Sequence, residues 1–318
     1  MINNRRTVEG LEAAAGDPQR LTATPSSQWR LALRRFRERK SGMIGLAIVS
    51  ALILIAIFAP LIAPYEPSQV LIGREEVGPR DPPCVHLFGC DDELPQHIMG
   101  TDGNVRDEFS RVIFGSRVSL TLGFFTVTLA LVVGSALGAI AGYVGGWVDN
   151  LIMRIMDVVL GFPSLLLAIA IVAVLGRGLQ NALIAIAIVT LPQYARVMRA
   201  QVLSLKESDF VSASRALGAS PLQLLVRRII PNALTPLVVL ATLGVATAIL
   251  EAAGLSFLGL GAQPPAAEWG SMLASERNQV FTSPHLVFFP GLAIMITVLG
   301  FNLMGDGLRD ALDPTLNR

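Results

Sequence analysis

The residues best suited to do chemistry are few. Cys84 and Cys90 are the only thiols, spaced as Cys84-x-His86-x3-Cys90, with His97 further on. Two thiolates and two imidazoles offer a ligand set for zinc or nickel. The spacing is no standard zinc signature and Pro82-Pro83 stiffens one side. A small Cys84–Cys90 disulfide in an oxidising compartment therefore stands beside the metal reading, with free thiols as a third. Ser256 lies in a glycine run and could serve as a nucleophile with His285 as base, but no acidic partner or oxyanion donors accompany the pair. Glu251 is the only acid in a long apolar stretch, where a charge is expensive and points to function or pairing. At about 1.5 Å per residue from Asn232 it falls near the outer boundary, where an interfacial carboxylate is the alternative. No Gly-Lys-Ser/Thr phosphate loop, His-Glu-x-x-His or paired-carboxylate arrangement occurs, so we expect no enzyme, no metal site and no ATP site of that kind in this chain.

These residues sit in a membrane protein. The 318 residues are 52% hydrophobic and 15% charged, with mean hydropathy +0.57, where a soluble domain carries roughly a quarter charged residues. The net charge of +1, without a basic stripe among aromatics, gives no reason to expect nucleic acid. Residues 1–28 are polar and aperiodic and read as a disordered cytoplasmic tail, with a transient coil at 11–15. Arg30, Arg34, Arg35, Arg37, Arg39 and Lys40 precede the uncharged run 41–65. The positive-inside rule keeps that end in the cytoplasm and sends the first span outward. Anionic lipid or nucleic acid could also attract the cluster, but topology needs no further partner.

Residues 66–115 are then external, acidic and proline-rich. Further spans are expected at 118–142, 158–175, 179–195, 233–253 and 286–304, about six in all with both termini cytoplasmic. Asp149, Arg154 and Asp157 mark a short inner turn, and Pro163 falls in the first turns of the third span. Gly134, Gly138, Gly142 and Gly146 recur every fourth residue, a small-residue face for close helix packing. The run 254–261 is too short to span and reads as re-entrant or interfacial on the outer face.

Between the fourth and fifth spans lies a polar, basic stretch at 205–232. Ser208 can cap a short helix that stops at Gly218, where a left-handed residue is easiest for glycine. Ser220 then caps a second helix with Pro221 in its first turn. There Leu222, Leu225, Val226 and Ile229 share one face, and Pro231 closes the segment. A firm elbow of this kind, cytoplasmic by the charge count, presents itself to a partner.

The elbow resembles the EAA loop of ABC-transporter permeases. In that family a glycine stands three residues after Glu-Ala-Ala, and an Ile-x-Leu-Pro follows nine residues later. Here Ser212, Ala213 and Ser214, Gly218, and Arg228-Ile229-Ile230-Pro231 keep the spacing, with serine at the glutamate and second alanine positions. The runs 214–220 and 227–232 look like the dipeptide/oligopeptide/nickel branch, C-type subunits. So do Gly100-Thr101-Asp102, Arg106-Asp107, the run 110–120, the run 255–265 and the ending 305–314. Val105 stands where that family usually has glycine, leaving the turn before Arg106 open to differ.

The resemblance implies an all-α type I importer permease: a tail at 1–40, a first span at 41–65, an external segment at 66–115, and a core at 116–318 with a coupling loop at 205–232. It implies that Asp209, Ser212, Ala213, Arg215, Ala216, Leu217 and Gly218 meet an ATPase, which binds ATP and Mg. It implies a B-type second permease subunit, two ATP-binding subunits, an external solute-binding protein and the lipid bilayer as partners, in the cell inner membrane. Glu251, Ser256 and Phe257 are the translocation-pathway candidates. A stand-alone secondary transporter is the rival, but no internal repeat is visible; a serine hydrolase at Ser256 is another.

Overall fold

A computed structural model describes residues 28–312, so the expected coil at 11–15 and the ending beyond 312 lie outside the described residues. Among the described residues every regular element is a helix. The basic α1 (Gln28–Glu38) breaks at Arg39, whose extended backbone (φ −90°, ψ 108°) turns the chain into α2 (Lys40–Ile57). A single turn, Ala59–Ile62, ends this helical stretch, so helix stops short of Tyr65. There follow α3 (Glu108–Val144), α4 (Gly146–Leu160), α5 (Ser164–Leu175), α6 (Leu179–Lys206), α7 (Asp209–Ala216), α8 (Ile230–Phe257), α9 (Trp269–Glu276) and α10 (His285–Leu312).

Among the described residues five helical segments are long and apolar enough to cross a membrane, and the α4–α5 pair, bent by 95°, makes up to six. Several sequence expectations change here. The third span is not one helix at 158–175, because Asp149, Arg154 and Asp157 lie on α4 and not in a turn. Proline disfavours helical geometry in the residue before it and donates no N–H, so the chain breaks at 161–163 and α5 starts anew with Pro163 at its N-cap position. The fourth span does not end at Ala195: α6 runs through Pro192 to Lys206. The second span is longer than expected: residues 108–144 form one helix, capped by Asp107, which accepts the N–H of Ser110.

The largest helix–helix contact is α3 on α6, and glycine makes it possible. A Cβ at Gly134 would stand 2.6 Å from the Leu191 carbonyl oxygen and one at Gly142 2.9 Å from that of Arg199; one at Gly138 would strike the Ala195 carbonyl. The row ends there, since Gly146 opens α4 with φ +59° and meets nothing within 4 Å. Polar bonds tie that end of α6 to α4 and α3: Arg199 holds Asp149, Arg196 holds Asp157 at 2.6 Å, and Lys206 Nζ donates to the Tyr143 carbonyl at 3.0 Å. On the far side α2 packs on α10, where a Cβ at Gly42 or Gly45 would meet the backbone of Gly307 or Gly300.

The segment before α3 folds as a cap over the other end. His97, Asp102, Asp107, Glu108 and Arg111 are all buried there. Several of its charges are paired: Asp102 with Arg106 at 2.6 Å and Arg111 at 3.4 Å, and Arg80 with Glu276 of α9 at 2.9 Å. Val105 takes φ +54° while 3% exposed, so a β-branched residue makes the left-handed turn that glycine makes more readily.

Candidate functional site

The elbow is anchored at a few points and bare elsewhere. Ser208 occupies the N-cap position of α7 with extended backbone, but its hydroxyl turns back to donate to the Leu205 carbonyl and caps nothing. Asp209 in the first turn complements the positive end of the helix dipole. At the far end Gly218 takes φ +83°, the left-handed turn expected of it. Ser220 and Gln223 then form a reciprocal capping box at Pro221–Leu224.

Beyond that turn the expected apolar face is redistributed. Leu224 and Ile229 are buried, whereas Leu222 is 70% and Val226 51% exposed. The cause is the wide turn Leu225–Ile229, in which the Ile230 N–H reaches back five residues to the Leu225 carbonyl and shifts the register. Pro231 has no N–H to offer the carbonyl four residues before it. Asn232 Nδ2 compensates locally by donating to the Arg228 carbonyl at 2.6 Å. Pro231 therefore does not close the segment, and helix continues from Pro221 to Phe257.

Val211 is the buried anchor of α7. Asp209, Ser212, Ala213, Arg215, Ala216, Leu217 and Gly218 are all exposed, Leu217 to 89%. With Phe210, Leu222 and Val226 they give the elbow an exposed apolar surface edged by Arg215, Arg227 and Arg228. An exposed apolar patch with a polar rim has the composition of a surface that meets a protein or a membrane.

At the opposite end the pathway candidates part company. Glu251 is half-buried on α8, with its Oε2 atom buried and unbonded among the described residues. Phe257 is exposed. Ser256 is buried beneath the 258–268 loop, where its hydroxyl accepts the Ala262 N–H at 3.2 Å. The His285 ring instead packs at Gly100. Glu268 caps α9 by accepting the N–H groups of Gly270 and Ser271; burial pushes its carboxyl above the ordinary carboxylate value, and those bonds pull the other way.

Cys84 and Cys90 are bonded to each other, so the thiolate pair of a metal site is consumed. His86 Nε2 lies 2.9 Å from the Leu94 carbonyl, and His97 serves the cap. Its Nδ1 is 2.8 Å from Asp107 and its Nε2 3.1 Å from Glu75, with the ring stacked on Tyr65. Burial disfavours the imidazolium, but the two carboxylates outweigh it and raise His97 above the ordinary histidine value. Burial and Glu75 together push the Tyr65 phenol up to about 12. Sequence reasoning missed this hub; the run of charges at 97–111 was its only trace.

The profile described as "Binding-protein-dependent transport system inner membrane component" matches residues 134–318, which hold α4 to α10 and the elbow. The chain belongs to this family of ABC importer permeases. The profile of the N-terminal transmembrane domain of oligopeptide transport permease C matches residues 27–83. The dipeptide transport system permease DppC of Alkalihalophilus pseudofirmus is 49% identical over 293 residues, 92% of each chain. The glutathione transport system permease GsiD of Escherichia coli is 46% identical over 91% of each chain. The di/tripeptide permease DppC of Pseudomonas aeruginosa is 44% identical over 96% of this chain and 97% of its own. In shape, the inward-facing MetNI methionine ABC transporter has a chain that aligns at TM-score 0.52 and 21% identity, covering 64% of this chain and 97% of that one. This is the type I importer fold. A permease of this family is a multi-pass transport subunit and not an enzyme, and it works with ATPase and binding-protein components.

Proposed function

We propose that this permease imports short peptides, of the size of two or three residues, with both termini in the cytoplasm. It pairs with a B-type second permease chain as a heterodimer, with two ATP-binding subunits and one external solute-binding protein. ATP and Mg belong to the ATPase subunits, and nucleic acid has no place in the assembly. The observation that carries this reading is the elbow: eight residues from Asp209 to Gly218, Phe210 among them, stand exposed on a turn fixed by Gly218 and the Ser220–Gln223 box.

In this reading Ala213, Ala216 and Leu217 enter a cleft of the ATPase and Arg215 meets its polar rim. Serine at position 212 removes any salt bridge a glutamate would form there. Closure of the ATPase pair on ATP pulls the elbow, and the pull passes along the continuous 221–257 helix to the outer end of the bundle. At that end Glu251 and Phe257 border the solute route, whereas Ser256 holds the loop beneath it. The organisation follows: a tail at 1–40, a first span at 41–65, an external cap at 66–115, and a core at 116–318 carrying the coupling loop 205–232.

Uptake of a labelled dipeptide into cells expressing the complete transporter tests the substrate. Competition by unlabelled di- and tripeptides, and none by single amino acids, is expected. Competition by glutathione alone would shift the substrate to that tripeptide, and an absence of peptide uptake would overturn the reading.

A further inference from the structure

The end of the bundle that carries α1 holds a second feature. The break at Arg39 swings α1 away from the axis of α2, and Phe36, 8% exposed, pins it against Gly42 and Gly307. Beside that pin, α1, α2, α8 and α10 enclose a groove of about 620 Å³. Leu33, Met43, Leu46, Met304 and Leu308 form its walls, and Arg37 stands at its mouth. The volume lies within the range of about 300–1,000 Å³ typical of ligand pockets.

The charges around it are unequally occupied. Arg34 is paired with Glu38 on the same helix, and Arg39 approaches Asp310 of α10 at 3.9 Å. Arg37 has no charged or hydrogen-bonding partner among the described residues and is exposed. An aliphatic slot with a spare guanidinium at its entrance, placed where the chain enters the membrane, is complementary to one class of molecule: an acyl chain under an anionic head.

We propose that this groove is a binding site for an anionic phospholipid, its phosphate on Arg37 and an acyl chain along Leu46, Met304 and Leu308. The proposal rests on α2 being a membrane span and is independent of what is transported. A bound lipid would fix α1 against α2 and α10.

Native mass spectrometry of the purified transporter, assembled with its partner chains, tests this directly. The detergent sample is exchanged into equimolar phosphatidylglycerol and phosphatidylethanolamine. Phosphatidylglycerol is expected to remain bound in preference. Arg37→Ala should lower its retention about fivefold, Arg37→Lys should keep most of it, and Leu46→Trp should exclude both lipids by filling the slot. Equal retention of the two lipids by the unaltered transporter, or retention unchanged in Arg37→Ala, would overturn the proposal. So would efficient cross-linking of Leu46→Cys to the second permease chain, which would make the groove a protein interface. ATPase activity in the same preparations reports the transport reading separately.

Discussion

Arg199 and Asp149 meet at two points, Nε to Oδ1 at 2.5 Å and the second guanidinium nitrogen to Oδ2 at 2.6 Å. This joins the last turns of α6 to α4 a short distance before the elbow begins. A fork-on-carboxylate pair fixes direction as well as distance, which lysine cannot do. Arg199 is 35% exposed on its side chain, so solvent takes much of the pair's strength and about 1 kcal/mol is a fair size. A double-mutant cycle on Arg199→Ala and Asp149→Ala, read by thermal unfolding in detergent, should give a coupling of about that size. Arg199→Lys should recover less than half of it. Additive single effects would show that the pair does not hold α6 to α4.

Glycine spacing on α3 makes a sharper mechanical prediction. A side chain at Gly138 would strike the Ala195 carbonyl, and backbone has nowhere to move. Gly138→Val should destabilise by about 1–3 kcal/mol or block assembly. Gly254→Ala is the control, since the nearest atom to its Cβ is Leu165 Cδ1 at 3.8 Å. It should be neutral or slightly stabilising, as alanine favours helix by about 0.5–1 kcal/mol. Heat challenge followed by size-exclusion chromatography compares the two.

The His97 hub gives the cap a dependence on pH. Its folded value is raised over that of the unfolded chain, because Asp107 and Glu75 hold the imidazolium. A raised value adds stability that is complete below about 6.5, the unfolded value, and is lost as pH climbs through the folded one. Melting of the purified protein should therefore fall as pH rises across that window, and His97→Gln should flatten the dependence. A slope that persists in His97→Gln would assign it to another group.

The local parts of this architecture were legible in the sequence because they depend on neighbours in the chain. Gly218 marks its own left-handed turn, Ser220 and Gln223 sit at capping-box spacing, and Gly134, Gly138 and Gly142 recur on one helical face. The apolar runs likewise located most of the spans. What failed was set by single prolines or by distant partners. Pro163 splits a segment whose hydropathy reads as one span, whereas Pro192 leaves α6 unbroken. Pro231 opens a wide turn that exchanges Leu222 for Leu224 as a buried residue. The cap depends on pairs such as Arg80 with Glu276, 196 residues apart, which no local pattern reveals. Its buried charges therefore looked like a solvated acidic loop.

The claim that matters most is that the elbow at 208–231 is where ATP hydrolysis is coupled to transport. Leu217 tests it with little risk to the fold, because it is 89% exposed. Gly218→Val tests the turn itself, whose φ of +83° opposes a β-branched residue. The measurement is affinity purification of the unaltered chain, Leu217→Asp and Gly218→Val from membranes, with ATP hydrolysis assayed on what co-purifies and with binding protein added. All three should reach the membrane in similar amount; only the unaltered chain should retain ATPase subunits whose turnover the binding protein raises. Full ATPase retention and stimulation in both variants would contradict the account and move the coupling surface elsewhere on the chain.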